Sequence, residues 1–354
     1  MTGKKDRKAR KPTGAASVES RRIDWIRKLL KSHPRGGLSL GIGDDAAVWK
    51  PRQGYRTVLT VDTQIEGTHF MPGWLSPGEI GRRAVNSSIS DLAAMNARPA
   101  LVLVSLLLER GRSEDFFRKL YRGIDKACRD YGALIAGGNI SRGPLSITIT
   151  CIGEARKKDL TGRNGMENGD EIWVTGNPGL ARLGLLHLQD RLFGRSPSPG
   201  ARRAISAFKN PRARTGEAAV FGRSWRPNAA IDLSDGLHKD LLHLLESNTK
   251  KGLSANGIVL DKKAIESLEP LGKLCAEAGL SPCRASLEGG EDYELLLAIP
   301  PGRATAARVR AFREKFDVPI TRIGTVTSKK PGVWLKTHSS GTLTRLRTDG
   351  FEHF

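Results

Sequence analysis

A chain of 354 residues, 38% of them hydrophobic, with 40 glycines and 18 prolines, has the length for two domains with separate cores and the turn content of a globular protein. Its longest apolar stretch, ALVLVSLLL at 100–108, falls well short of the ~20 residues a spanning helix needs, which excludes a membrane-spanning role. The basic N-terminus has no apolar signal core, so export is not expected. Formal net charge is +21; the first 22 residues hold +6, and the +15 left over is spread through the body, which suits a protein whose ligands are phosphates. Residues 1–20 read as a disordered, solubilising tail whose one nucleic-acid role would be weak non-specific contact. No nucleic-acid motif accompanies it. The four cysteines form no C-x-x-C pair and the seven histidines are scattered, so a zinc site is excluded and a reduced, cytoplasmic setting is expected.

In chain order, Ile23, Ile26, Leu29 and Leu30 recur at helical spacing and predict a helix over about 18–32. RTVLTVDT (56–63) reads as a strand. SPGEIGRRAVNSSISDLAAM (76–95) opens with Ser76, Pro77 and Glu79, a capping box with proline at the first helical position, and predicts a helix. ALVLVSLLL is a buried strand, and 113–132 a helix capped by Ser113 and stopped at Gly132. ALIAGGN and SITITCIGEA are strands, AGGN taken alone being a turn. After RKKDLTGRNGMENGD the pattern restarts, which places a boundary near 156–168. Strands are predicted at EIWVTG, AAIDLSDG, GIVL, DYELLLAIP and ITRIGTV, and helices at GLARLGLLHL, from 237, within 262–279 and near 303–315.

Acids recur at the edges of apolar runs. Asp44 and Asp45 sit in GIGDDAAVW, Asp62 closes TVLTVD, Asp91 lies in SISDLAAM, and Asp232 and Asp235 end a strand in IDLSDG. Unpaired carboxylates beside a core are costly, so several around one point demand cations. Oxygen donors without His or Cys suit a hard ion such as Mg²⁺, which takes one or two carboxylates and bridges to phosphate. Glycines in GIGDD, AGGN, GNPG and EGGED allow backbone N–H groups to approach anions. None fits the P-loop pattern.

Read in order, GIGDDAAVW, VDTQIEGTHF, SISDLAAM, GGNISRGPLSITIT, GRNGMENGDEIWVTGNPGLARLGL, AAIDLSDGL, GGEDYELLL and DGFEHF resemble the thiamine-monophosphate kinase family of the aminoimidazole ribonucleotide synthetase-like superfamily. The resemblance covers nearly the whole chain except the tail. It implies an α/β protein of two domains: residues 21–156, an α+β domain with a mixed sheet that binds ATP and Mg²⁺ and dimerises, and residues 157–354, an α/β domain that closes the cleft. It implies ATP- and Mg²⁺-dependent phosphorylation of thiamine monophosphate to thiamine diphosphate, by a homodimer with no membrane partner.

Carried over residue by residue, Asp45, Thr60, Asp62, Asp91 and Asp232 match metal ligands, with Asp235 a further one and Asn139 on a position that supplies Asp or Asn. Tyr121 resembles the aromatic beside the nucleotide, with Gly138 and Asn139; Arg163 and Ser234 match contacts to the ATP phosphates. His69, Glu291 and Phe351 match the thiamine pocket. Asp62, Asp91, Asp232 and Arg163 form the implied catalytic set. The chain departs from the family in several places. Val61 stands where Thr is frequent and could offer only its backbone carbonyl to a metal. Ser88 replaces an Asn, Asn96 a Gly, and Phe351 a frequent Tyr; Asn at least tolerates positive φ. These departures bear on metal number and affinity, not on the reaction. The alternatives are another ATP-using member of the superfamily, such as the cyclo-ligase of purine synthesis, or a non-catalytic polyanion-binding protein on the same fold. Selenide water dikinase fits less well, because no cysteine precedes Cys128.

Overall fold

The structure, a computed structural model, describes residues 17–30, 37–337 and 341–347. Most of the expected basic tail and the terminal segment with Phe351 lie outside the described residues. The first helix, α1 (Val18–Leu30), buries Ile26, and the short strands β1 (Leu38–Leu40) and β2 (Val48–Trp49) pair around the GIGDD turn.

Four long strands follow: β3 (Tyr55–Ile65), β4 (Arg98–Leu108), β5 (Leu134–Arg142) and β6 (Ser146–Arg156). They form a mixed sheet in the order β3-β6-β4-β5, parallel only between β4 and β5. Side chains alternate across such a sheet. Val102, Val104 and Leu106 of β4 and Ile147, Ile149 and Cys151 of β6 are buried on one face. On the other face of the edge strand, Leu59 and Val61 stand 66% and 62% exposed. ALIAGGN forms a strand as expected, and AGGN lies inside β5. Gly138 has φ +151°, and a Cβ there would meet the Val104 carbonyl at 1.9 Å, so the glycine serves the close approach of β5 to β4.

Helix α2 (Pro77–Ala94) starts as its sequence predicts, with the Ser76 Oγ accepting from the Glu79 N–H while the Glu79 carboxylate accepts from the Ser76 N–H. Thirteen of its 18 residues are buried, because it is covered on one side by the sheet and α3 (Glu114–Asp130) and on the other by elements of the second half. Helices α2 and α3 touch backbone to backbone. A Cβ on Gly123 would lie 2.1 Å from the Gly78 carbonyl, and one on Gly81 2.2 Å from that of Leu120. Gly123→Ala is therefore expected to lower stability by roughly 2–3 kcal/mol in urea unfolding. Unchanged stability would mean that the helices separate freely.

The second half holds a seven-stranded sheet in the order β13-β12-β9-β11-β7-β10-β8. Its strands are β7 (Glu171–Thr175), β8 (Ala229–Asp232), β9 (Gly257–Asp261), β10 (Leu295–Ile299), β11 (Ile320–Thr327), β12 (Gly332–Lys336) and β13 (Leu343–Arg345). Its helices are α4 (Leu180–Asp190), α5 (Pro199–Lys209), α6 (Thr215–Val220), α7 (Leu237–Lys250), α8 (Lys262–Glu266), α9 (Leu271–Glu277), α10 (Pro282–Glu288) and α11 (Ala306–Phe316). Strands β8 and β10 are buried at every residue, which fits the apolar runs AAI and LLLAI. The single helix expected within 262–279 is two short ones on either side of Pro270, since proline cannot continue a helix interior. Phe208 of α5 and Ala181 of α4 join the core of the first half, so α2 sits at the junction of the two sheets. No helix among the described residues is long and apolar enough to cross a membrane.

Candidate active site

Three segments far apart in sequence end at one place. Asp62 lies on β3, Asp91 near the C-terminus of α2, and Asp232 at the end of β8, and all three line a cavity of about 430 Å³. A carboxylate near a helix C-terminus works against the helix dipole, so Asp91 is not placed there for the helix's sake. Burial, together with the charge of Asp62, raises the Asp91 pKa, although the Thr60 Oγ1 donates to its Oδ2 at 2.6 Å. Asp232 is 3% exposed, and burial with the charge of Asp91 pushes its pKa up to about 7. The positive charge of Arg163, an exposed residue of the loop before β7, acts on both.

Beside them the loop after β8 carries Ser234 and Asp235, which line the same cavity. Asp235 shares a cluster with Asp240 and His243 of α7, in which donor atoms lie within 4.8 Å of one another. His243 and Lys239 lower the Asp235 pKa, whereas burial and the charges of Asp232 and Asp235 hold Asp240 well above the usual range. These donors fit a hard divalent cation: several buried or half-buried carboxylates lie close together, and burial and mutual repulsion raise the pKa of Asp91, Asp232 and Asp240 despite the charge of Arg163.

Apolar side chains line the same cavity. Met71, Trp74, Leu185 and Phe208 line it, the Trp74 and Phe208 rings packing edge to face at 6.2 Å. His69 lines it too, its Nδ1 accepting from the Ile65 N–H at 3.1 Å, which puts the ring proton on Nε2. Glu291 closes the wall. It has φ +70° and is held at Oε2 by the fully buried Arg83 and, at 2.9 Å, by the Tyr293 hydroxyl. Arg83 also donates to Gln64 and the Phe208 carbonyl, and its guanidinium lies 4.3 Å from the centre of the Phe208 ring. Loop 289–293 is fixed against loop 233–236 by the Glu291 N–H donating to the Ser234 carbonyl at 2.8 Å.

Asp45 is not in this group. It lines a second cavity of about 970 Å³ with Tyr121, Gly138 and Asn139, bounded by α1, the GIGDD turn and β5. Asp62, Ile149, Val104 and Gly138 form one row across the sheet, so the two sites are three strands apart, about 14 Å at the usual spacing. Thr60 borders the acidic cavity through Asp91, while the Val61 side chain faces outward.

A match to the family AIR synthase related protein, N-terminal domain, spans residues 43–155. The thiamine-monophosphate kinase of Synechococcus elongatus is 33% identical over 319 residues, covering 88% of this chain and 91% of that protein. The chain belongs to the thiamine-monophosphate kinase family. The crystal structure of the thiamine-monophosphate kinase from Stenotrophomonas maltophilia superposes with a TM-score of 0.77 at 29% identity, over 91% of this chain and 96% of that one. AaThiL complexed with AMPPCP and TMP gives 0.73 at 28% identity, over 94% and 96%. The fold is the two-domain α/β fold of that family.

Reading the family motifs did not reveal every wall of the site. The motifs assign no role to Arg83, Trp74, Phe208, Tyr293 or Asp240, although Tyr293 lies in GGEDYELLL and Arg83 opens the run RAVNSSISDLAAM. GNPG, expected to bind an anion through its backbone, already has one. The Asp292 carboxylate accepts from the Gly179 and Ala181 N–H groups at 2.6 and 2.9 Å, which caps α4. Asn96 does adopt positive φ, at +53°.

Proposed function

We propose that this chain transfers the terminal phosphoryl group of ATP to the phosphate of thiamine monophosphate, giving thiamine diphosphate, with Mg²⁺ held by its acidic loops. The observation that carries the reading is the convergence of Asp62, Asp91 and Asp232 on one cavity that Trp74 and Phe208 also line. That combination of acids and aromatic rings suits an acceptor that carries both a phosphate and a flat, cationic ring system. Membership of the family and the relative complexed with AMPPCP and TMP support the same substrates.

The acceptor phosphate has a second pKa near ~6 and is largely ionised at neutral pH, so it needs no strong base. Repulsion between two polyanions is the obstacle. Bound Mg²⁺ would supply the positive charge that lets both approach. Asp62, Asp91, Asp232 and Asp235, with Thr60 and the Val61 carbonyl, would hold it in the acidic cavity, and Asp45 and Asn139 in the neighbouring one. Tyr121, Gly138 and Asn139 would seat the nucleotide, whose phosphates extend along the sheet toward Asp62. Arg163 and Ser234 would meet the transferring group, and Arg163 would share its developing charge. Trp74, Phe208 and His69 would flank the thiamine rings, and the cation would lie near Glu291. Phe351, assigned to the same pocket by resemblance, lies outside the described residues. No protein nucleophile stands among the motifs, so transfer is direct and in line, by positioning and charge stabilisation.

On this reading residues 21–156 form the domain that binds nucleotide and metal, and 157–354 the domain that closes the cleft. A second copy would cover the outward apolar face at Leu59 and Val61. A coupled ADP-release assay tests the proposal. ADP should form only when ATP, Mg²⁺ and thiamine monophosphate are all present; ADP formation indifferent to thiamine monophosphate would refute it. A competent labelled enzyme formed from ATP alone would overturn direct transfer.

A further inference from the structure

Away from both cavities, the π-helical turn Phe221–Trp225 and α11 enclose a third, of about 610 Å³. Arg223, Arg226, Arg303, Arg308 and Lys315 line it, and no carboxylate does among the described residues. None of the five makes a salt bridge among the described residues; Arg308 donates to the Arg303 carbonyl at 2.8 Å, and the Lys315 ammonium lies 5.1 Å from the centre of the Phe316 ring. Five like charges around one cavity repel one another.

The floor beneath them is aromatic. Phe221 and Phe312 stack at 5.0 Å, and Trp225 packs edge to face on Phe221 at 5.2 Å. The backbone departs from regular helix where it presents two of the arginines. Arg223 rides on the π-helical turn, and Arg226, which follows it, has φ +49°. π-Helical turns and left-handed non-glycine residues are costly and concentrate at functional positions.

We propose that this cavity binds a compact anion built of contiguous phosphoryl groups. All five charges line one concavity of about 610 Å³, a volume that a short oligophosphate fills and an extended phosphodiester chain would outrun. Such a ligand comes either as free inorganic oligophosphate or as the phosphate tail of a nucleotide. None of the five residues lines the candidate active site, so the inference does not rest on the kinase reading.

The test is calorimetric titration of the full chain with inorganic tripolyphosphate at low salt without divalent ions, for wild type and for the exposed double reversal R223E/R303E. Wild type should bind one more tripolyphosphate than the variant, or bind it at least tenfold more tightly, while the variant keeps its ADP-forming activity. R223Q/R303Q should weaken binding in the same direction by less, and melting curves would establish that both variants fold. Competition by ATP for the lost site would identify a nucleotide tail, and its failure to compete a free oligophosphate. Equal affinity and stoichiometry in wild type and R223E/R303E would overturn the proposal. So would a single-stranded RNA that occupies this site and is not displaced by tripolyphosphate.

Discussion

Asp232→Asn is expected to lower turnover by roughly 10³-fold or more and, in EDTA at pH 8, to raise the melting temperature. The two effects have one cause. Burial and the neighbouring Asp91 push the Asp232 pKa up to about 7, well above its value of 3.8 in an unfolded chain. A raised acid pKa means that the folded state binds the proton more tightly. The metal-free protein is therefore favoured below the unfolded pKa and loses that contribution as pH rises toward 7, where the carboxylate must ionise in its buried place. Asparagine has nothing to ionise. The gain should be on the order of 5 °C at pH 8 and smaller at pH 5. Added Mg²⁺ should raise the wild-type melting temperature at pH 8 far more than that of the variant. Asp62→Asn should likewise abolish turnover with the fold intact. Near-normal activity of either variant at ordinary Mg²⁺ would contradict the role given to these acids.

Arg83→Met should have the largest effect on stability of any single change near the cavity. It leaves the Glu291 carboxylate and the Phe208 carbonyl without their buried donor and removes the cation from the Phe208 face. Breaking a buried pair from one side costs about 3 kcal/mol or more, whereas replacing both partners with apolar groups can be close to neutral. Urea unfolding should therefore show a large loss for Arg83→Met that Arg83→Met/Glu291→Met largely restores. The KM for thiamine monophosphate should stay raised in both variants, because Glu291 belongs to the pocket wall. Arg83→Lys keeps the charge but not the planar fork and should fall between. Wild-type stability in Arg83→Met would show that the ion pair does not hold loop 289–293.

The acids were legible because their chemistry contradicts their surroundings. Asp91 after SIS and Asp232 after AAI interrupt apolar runs, and the structure brings both to one cavity with Asp62. Local chemistry also announced the helices that depend on it, as at Ser76 and Ser113, whose side chains both cap. What stayed hidden depends on contacts between distant segments. Arg83 looks like a surface residue until α5 and loop 289–293 are laid over α2. Trp74 and Phe208, 134 positions apart, become one wall only after α5 packs against the first half. The glycines of AGGN and GNPG looked alike as places for an anion to approach the backbone, yet one serves strand contact and the other a helix capped by Asp292. Composition could report the excess of positive charge but not its concentration around the π-helical turn.

The central claim is that the carboxylates of Asp62, Asp91 and Asp232 form one divalent-cation site. A crystal of the full chain grown with Mn²⁺ and an unreactive ATP analogue, measured at the manganese absorption edge, tests it directly. The account predicts an anomalous peak within bonding distance of carboxylate oxygens from those residues. Manganese bound elsewhere, with that cavity holding only water, would contradict it.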